Sequence, residues 1–449
     1  MIDDALLKYA DRVPRYTSYP TAPHFTESVD GTRYRQWLNG VGAKAPLSLY
    51  GHIPFCSSLC WFCGCQTTVV NRYEPVAAYL ELLYGELKLI RGALGPNRPV
   101  AHVHFGGGTP NILRSDDLQR LMEAIGDCFD ITAGAEIALE IDPRTFTPDH
   151  AKALQRIGVN RASVGVQDFY PDIQHAINRV QSYRMTHDVV QSLRSHGVRA
   201  INIDLMYGLP DQTPDGIAET VDQTMDLMPD RVALFGYAHV PWMRPHQALI
   251  DADRLPDART RVGLYRVAAA RLADHGCVAI GIDHFARASD PLAVAQRRGA
   301  LHRNFQGYTT DAAVALIGFG ASAIGSLLQG YVQNAPSVAE YRNRIRAGDF
   351  ATVKGIAIDD NDRLRRIVIE RLMCDLTVDL ADAAAQFQRD SSLFEGSIVA
   401  LAPFEEDGLV KISGDQISID PDARLIVRNV CAAFDAYRDT GRGRYSAAI

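Results

Sequence analysis

Four cysteines fall within ten residues, Cys56, Cys60, Cys63 and Cys65, in the run HIPFCSSLCWFCGCQ with the spacing C-x3-C-x2-C-x-C. A packed core has no use for such density, and thiolates this close collect iron–sulfur clusters or soft metals. The first three can hold three irons of a four-iron cluster and leave the fourth iron open to a chelating ligand. Structural zinc sites usually pair two C-x2-C hooks roughly a dozen or more residues apart, which is not this pattern. Cys65 would reach the open iron only by competing with that ligand, so it is read as close to the cluster but not bound to it.

Other residues could serve the same place. Gly106, Gly107, Gly108, Thr109 and Pro110 end a strand-like run, and absent side chains let a ligand approach the backbone closely. Neither the dinucleotide fingerprint nor a phosphate-loop lysine follows. Glu140, Gln167 and Asp204 stand at the ends of strand-like runs, where barrel sites are built. A carboxylate there suits a pair of ribose hydroxyls. Arg179 follows the fourth such run and suits a bidentate carboxylate contact. Ordinary salt bridges are the competing reading for each of these.

The elements that must carry them alternate. Strand-like runs at 47–53, 100–106, 135–142, 161–167, 201–207 and 231–238 are separated by amphipathic helical stretches such as 75–90 and 182–197. Six βα units in series predict an α/β fold with a parallel sheet. One strand face is apolar: Leu47, Leu49 and Ile53; Val103 and Phe105; Ile137, Leu139 and Ile141; Ile201, Ile203 and Leu205. The other is polar or small: Tyr50 and His52; His102, His104 and Gly106; Glu140 and Asp142; Ser163, Gly165 and Gln167; Asn202 and Asp204. A sealed eight-stranded barrel would fill its interior with Val and Ile, so the polar face predicts an open barrel wrapped around a cofactor. Beyond 240 the pattern loosens, and the Arg- and His-rich stretch 281–310 reads as a long functional loop. From about 355, helical patterns precede two short strands joined at Gly414–Asp415 and a helix to about 438, a winged-helix-like arrangement.

Composition narrows the function. The chain has 449 residues, 47% of them hydrophobic, with a net charge of −7 and no basic stripe. That disfavours nucleic acid as a partner, and an anionic substrate must be met by local arginines. No apolar run reaches the length of a membrane span, and the acidic N-terminus has no apolar signal core. The expected location is the cytoplasm. Cys128, Cys277, Cys374 and Cys431 are scattered singly and read as small buried hydrophobes.

The three-cysteine core followed by GGGTP resembles the radical S-adenosylmethionine (SAM) superfamily. The wider run of motifs, PRYTSYPTAPHF, SLYGHIPFCSSLCWFCGC, HFGGGTP, SVGVQDF, NIDLMYGLP, YAHVP, and DHFAR followed by LHRNFQGYTT, resembles the oxygen-independent coproporphyrinogen III oxidase (coproporphyrinogen dehydrogenase) family nearly end to end. Cys65 and the PRYTSYPT leader are its most specific parts, since the related haem chaperone lacks both.

The resemblance implies an open three-quarter (β/α)6 radical SAM barrel at 47–350, an N-terminal arm at 1–46 that could gate substrate, and a mainly helical C-terminal domain at 351–449. It implies a 4Fe–4S cluster on Cys56, Cys60 and Cys63, and two SAM molecules. The first matches Tyr50, Gly107, Glu140, Ala238 and Ile324. The second matches Phe62, Gly108, Thr109, Gln167, Arg179 and Asp204. The implied substrate is coproporphyrinogen III, two of whose propionates become vinyls; the implied partner is a small redox protein, and the implied state a monomer. Arg15, Arg287, Arg298 and Arg303 are candidate clamps for the propionates. The rival readings are a haem chaperone, another haem-related radical SAM enzyme, and a structural zinc protein.

Overall fold

The computed structural model describes residues 2–10, 12–438, 445 and 446; the last stretch of the expected C-terminal domain otherwise lies outside the described residues. The chain forms two compact units, Phe25–Asp204 with Asp311–Ala357, and Met1–His24 with Leu205–Thr310 and Ile358–Ile449.

The first unit carries the parallel strands. Leu47–Ile53 pairs in parallel with Pro99–Gly107, Tyr50 opposite His104. Pro99–Gly107 pairs in parallel with Asp130–Ile141, and that strand with Arg161–Gln167, Glu140 opposite Ser163. Ala200–Tyr207 begins in this unit and ends in the other. The register sets the polar residues side by side on one face. The alternation read from the sequence is real: Leu49, Ile53, Val103, Phe105, Leu139, Ile201 and Ile203 are all buried. Each such side chain contributes about 1.5–3 kcal/mol on burial. The helices between strands start where their capping chemistry says. Glu74–Leu94 has Pro75 in its first turn, and Tyr183–Ser195 begins at Ser182, whose hydroxyl accepts from the Met185 amide.

The same sheet extends beyond the parallel run. Ala315–Phe319 lies parallel to Leu47–Ile53, and Ile324–Leu327, Gly330–Asn334 and Thr352–Ala357 follow antiparallel. The sequence did not disclose these four strands, because glycines at 318, 320, 325 and 330 interrupt their side-chain alternation. The buried carboxylate of Glu86, on Glu74–Leu94, ties them to the helices. It accepts from the Gly320 amide at 2.7 Å, Asn334 Nδ2 at 2.7 Å and the Tyr341 hydroxyl at 2.6 Å. Burial pushes its carboxyl up to about 7 even though these three donors oppose the shift.

In the second unit, Arg231–Gly236 pairs antiparallel with His284–Arg287, and that strand with Cys277–Ile280. The stretch 281–310 is not the irregular loop expected. It holds His284–Arg287, the helix Pro291–Arg297 and a hairpin of His302–Asn304 with Gly307–Thr309. None exceeds seven residues, too short to show a period in sequence. The C-terminal part is helical, with Asp360–Asp375 and Glu395–Glu406 beside a three-stranded sheet of Thr377–Asp379, Gln416–Ile419 and Val410–Ser413. The hairpin turns at Gly414, φ 62°. The expected final helix to about 438 is shorter: a 3-10 segment, Pro421–Ile426, leads into Val427–Ala432. Residues of the N-terminal arm take the chain beyond it, for the Ala436 amide donates to the Tyr19 hydroxyl at 2.9 Å and the Tyr16 hydroxyl to Asp435 at 2.9 Å.

Candidate active site

The cysteine loop leaves the first strand through a two-residue strand, Phe55–Cys56, which pairs with Thr68–Val69. The Trp61 amide donates to Ile177 O at 3.0 Å and Asn178 Nδ2 to Leu59 O at 2.8 Å, anchoring the loop's middle. The Gly-rich strand end docks against its start, with Gly108 N donating to Ile53 O and Thr109 N to Phe55 O, each at 2.8 Å. Gly107 has φ 115°, and a methyl group there would sit 2.6 Å from the His52 ring; at Gly106 it would sit 2.5 Å from Glu140 Oε1. Gly107 is held to glycine by its backbone, and Gly106 leaves the Glu140 carboxylate its place.

Cys56, Cys60, Cys63 and Cys65 of this loop line one pocket with Gly107, Gly108, Thr109, Glu140, Gln167, Arg179 and Asp204. Their partners differ. Cys56 Sγ accepts from Thr67 Oγ1 at 3.1 Å and Thr109 Oγ1 at 3.3 Å. Burial pushes its thiol up while these hydroxyls oppose the shift. Cys60 Sγ accepts from two guanidiniums, Arg144 Nη2 at 3.3 Å and Arg179 Nη1 at 3.5 Å. Cys63 Sγ accepts from the Cys65 amide at 3.4 Å. Cys65 itself is pushed well up, first by its hydrogen bond to Cys63 and the charge there, then by burial. Among the described residues, no three Cys, His, Asp or Glu side chains converge on a single ion. Three sulfurs on one loop suit a multi-iron group, each sulfur serving a separate iron.

The carboxylates are prearranged. Glu140 accepts from His104 Nε2 and the Gly107 amide, both at 3.2 Å. Burial would raise its carboxyl, yet His104 and Gly107 hold it below the usual carboxylate range. The Tyr50 hydroxyl lies 3.0 Å from His52 Nδ1, and its ring stacks on His104 at 5.8 Å. Asp204 accepts from Ser163 Oγ at 3.1 Å and Asn202 Nδ2 at 2.7 Å. Gln167 is buried at a strand end with φ 73°, a conformation rare outside glycine and asparagine and often stored at functional sites. Arg179 Nη2 donates to Gly165 O at 2.7 Å.

Of the residues singled out from sequence, Cys56, Cys60, Cys63, Cys65, Phe62, Gly107, Gly108, Thr109, Glu140, Gln167, Arg179 and Asp204 line this pocket. Tyr50 and Ile324 belong to the same unit but do not line it, and Ala238 belongs to the other unit. The sequence reading passed over Arg144. The signal was faint: EIDPRT reads as a strand running into a proline turn, and only the fold brings Arg144 back onto Cys60.

The candidate clamps divide. Arg15 and Arg303 share Asp283 as an electrostatic neighbour with Arg428, and Arg261 lies beside Arg15. Arg303 stacks on Tyr308 at 4.6 Å and stands 3.9 Å from Asp283. Its Nε and Nη1 are buried without a hydrogen-bond acceptor among the described residues, as is Arg261 Nε. Arg15 is solvent-exposed, burial lowers Arg261, and burial with the nearby Arg15 pulls Arg428 down to about 10. Arg287 and Arg298 are exposed and stand outside this group; Arg287 Nε donates to Pro229 O at 3.0 Å.

Known proteins share this arrangement. Residues 50–224 match the Radical SAM superfamily and residues 358–426 the HemN C-terminal domain. The chain is 46% identical over 447 residues to the oxygen-independent coproporphyrinogen III oxidase of Bradyrhizobium diazoefficiens, covering 99% of each. It is 43% identical to that of Paracoccus denitrificans, covering 98% of this chain and 97% of the relative. The solved coproporphyrinogen III oxidase of Escherichia coli, described as a radical SAM enzyme, superposes with a TM-score of 0.91 at 39% identity, over 96% of this chain and 98% of that one. The fold is therefore the open three-quarter (β/α)6 radical SAM barrel with an N-terminal arm and a mainly helical C-terminal region, and the chain belongs to the oxygen-independent coproporphyrinogen III oxidase family.

Proposed function

We propose that this chain oxidatively decarboxylates two propionates of coproporphyrinogen III to vinyls, giving protoporphyrinogen IX in anaerobic haem and porphyrin biosynthesis. The observation that carries this reading is the pocket that gathers Cys56, Cys60 and Cys63 with Glu140, Gln167, Arg179 and Asp204, in a chain aligned end to end with such oxidases. Cys56, Cys60 and Cys63 would hold a 4Fe–4S cluster, which with two SAM molecules would supply one-electron chemistry for removing a hydrogen atom from each propionate β-carbon, the electron released with carbon dioxide passing to an external one-electron acceptor.

The chain's own residues bind and orient. Glu140, held below the usual carboxylate range by His104 and Gly107, accepts the ribose hydroxyls of the first SAM, with Gly107 beside it; the resemblance also assigns Tyr50, Ile324 and Ala238 to that SAM. Asp204 does the same for the second, with Phe62, Gly108, Thr109, Gln167 and Arg179. Arg15 and Arg303, with Arg261 beside Arg15, meet substrate propionates: Arg303 Nε and Nη1 and Arg261 Nε are buried donors without an acceptor among the described residues, which incoming carboxylates satisfy. Arg287 and Arg298 are secondary in this role. The arm at 1–46 gates substrate, 47–350 is the catalytic barrel with its extension, and 351–449 is the C-terminal domain. The protein works as a cytoplasmic monomer fed by a small redox protein, without nucleic acid; among the described residues no helix is long and apolar enough to cross a membrane.

The test is anaerobic. The reconstituted protein is given SAM, reductant and coproporphyrinogen III. Protoporphyrinogen IX and 5′-deoxyadenosine are expected, and both vanish in C56S, C60S and C63S. Tight haem binding with no vinyl product would replace this reading with that of a chaperone.

A further inference from the structure

The three ligand sulfurs are not equivalent. Cys56 meets two hydroxyls and Cys63 one amide, whereas Cys60 meets two cations. The cation nearer to Cys60 is fixed from behind. Asp142 accepts from Arg144 Nε at 3.0 Å and from Nη2 at 2.7 Å. Asp142 is itself held by Asn111, whose Oδ1 accepts from the Asp142 amide at 2.9 Å and whose Nδ2 donates to Asp142 O at 3.1 Å. Asp142 Oδ1 also accepts from the Arg144 amide, closing the turn at Pro143. Arg179, by contrast, spends Nη2 on Gly165 O, and the proposed function draws its guanidinium toward a SAM carboxylate.

We propose that Arg144 is a positioning residue for the iron–sulfur group: aimed by Asp142, it donates to Cys60 Sγ and raises the potential at which the cluster takes up its electron. This rests on the reading of Cys60 as a cluster ligand. Hydrogen bonds and positive charge at a ligand sulfur favour the reduced, more negative state, and such partners of a ligand tune the metal. The planar fork serves both jobs at once, holding the carboxylate through Nε and Nη2 while Nη2 also reaches the sulfur.

The measurement is a dithionite-poised redox titration of the reconstituted holoenzyme, followed by the electron paramagnetic resonance signal of the reduced cluster. In R144M the ratio of reduced to oxidised cluster at a fixed poise should fall about tenfold, equivalent to about 59 mV for one electron. R144K, which keeps the charge but not the fork, should recover part of that loss. D142N should shift in the same direction, by less. A potential in R144M equal to wild type, with cluster content unchanged, overturns the inference. If R144M fails to load iron, R144K and D142N decide it by the same titration, and an unshifted potential in both overturns it. C60S separates this inference from the reading beneath it: a full cluster in C60S sinks the ligand assignment, whereas an iron-free C60S with an unshifted R144M sinks only the role of Arg144.

Discussion

Two charge groups, one in each unit, are built on opposite balances. Around Asp142 stand Arg144 and Arg179, and both guanidiniums also reach Cys60. Burial would raise the Asp142 carboxyl, but Arg179 and Arg144 hold it below its ordinary range. Around Asp283 stand Arg15, Arg303 and Arg428, with Arg261 beside Arg15, and here burial drives Arg261 and Arg428 downward. A charge taken out of water costs several kcal/mol unless paired. The first group finds its anions within the protein, in a carboxylate and a sulfur. In the second, Arg303 Nε and Nη1 and Arg261 Nε are buried donors without an acceptor among the described residues, and they are intelligible as a receptor for carboxylates that arrive with a substrate. Internal balance builds scaffolding; imbalance builds affinity.

Substitutions sharpen this contrast. The largest effect is expected at the balanced group. D142N leaves two guanidiniums without their carboxylate and should lower unfolding free energy by about 3–5 kcal/mol, read by chemical denaturation; a loss below about 1 kcal/mol would remove Asp142 from the scaffold.

Glu86 provides a buried carboxylate held by three neutral donors. Burial pushes its carboxyl from the ordinary 4.5 up to about 7. Protonated, it costs nothing extra, so stability is full below about pH 4.5 and is lost as pH rises toward 7. The unfolding free energy of E86Q minus that of wild type should therefore climb by about 3 kcal/mol between pH 4 and 8. A flat difference would show that the three donors compensate the charge.

At the unbalanced group the sign reverses. R15M should leave the melting temperature unchanged or raise it, because Arg303 and Arg261 oppose its charge, while KM for coproporphyrinogen III rises about tenfold, roughly 1.4 kcal/mol. A destabilised R15M with unchanged KM would make that group scaffolding too. Smaller still, citrate added to wild type should raise its melting temperature by a few degrees, as a ligand bound to the folded state does, and R261M should abolish the rise. R287M, outside the group, should change KM less than about twofold.

Much of the pocket was legible in the sequence because its chemistry is local. The cysteine spacing, the glycine run and the alternation that puts Glu140 and Asp204 on one strand face need no knowledge of the tertiary fold. What escaped is non-local. Arg144 sits 84 positions from Cys60. Arg261 and Arg428 lie on helices, Ala258–Asp274 and Val427–Ala432, where sequence gives no reason to tell them from solvent-facing arginines. The antiparallel strands after Ala315 were hidden by glycines, and the elements of 281–310 by their brevity.

The glycines beside the cluster loop have a consequence for descent. A methyl group at Gly108 would sit 2.7 Å from the Phe55 carbonyl oxygen, and Gly107 holds φ 115°. Alanine at either meets backbone or strain, so even the mildest heritable step there carries a cost. Lineages that acquire new substrates on this scaffold are freer to vary the distant arginines than this strand end.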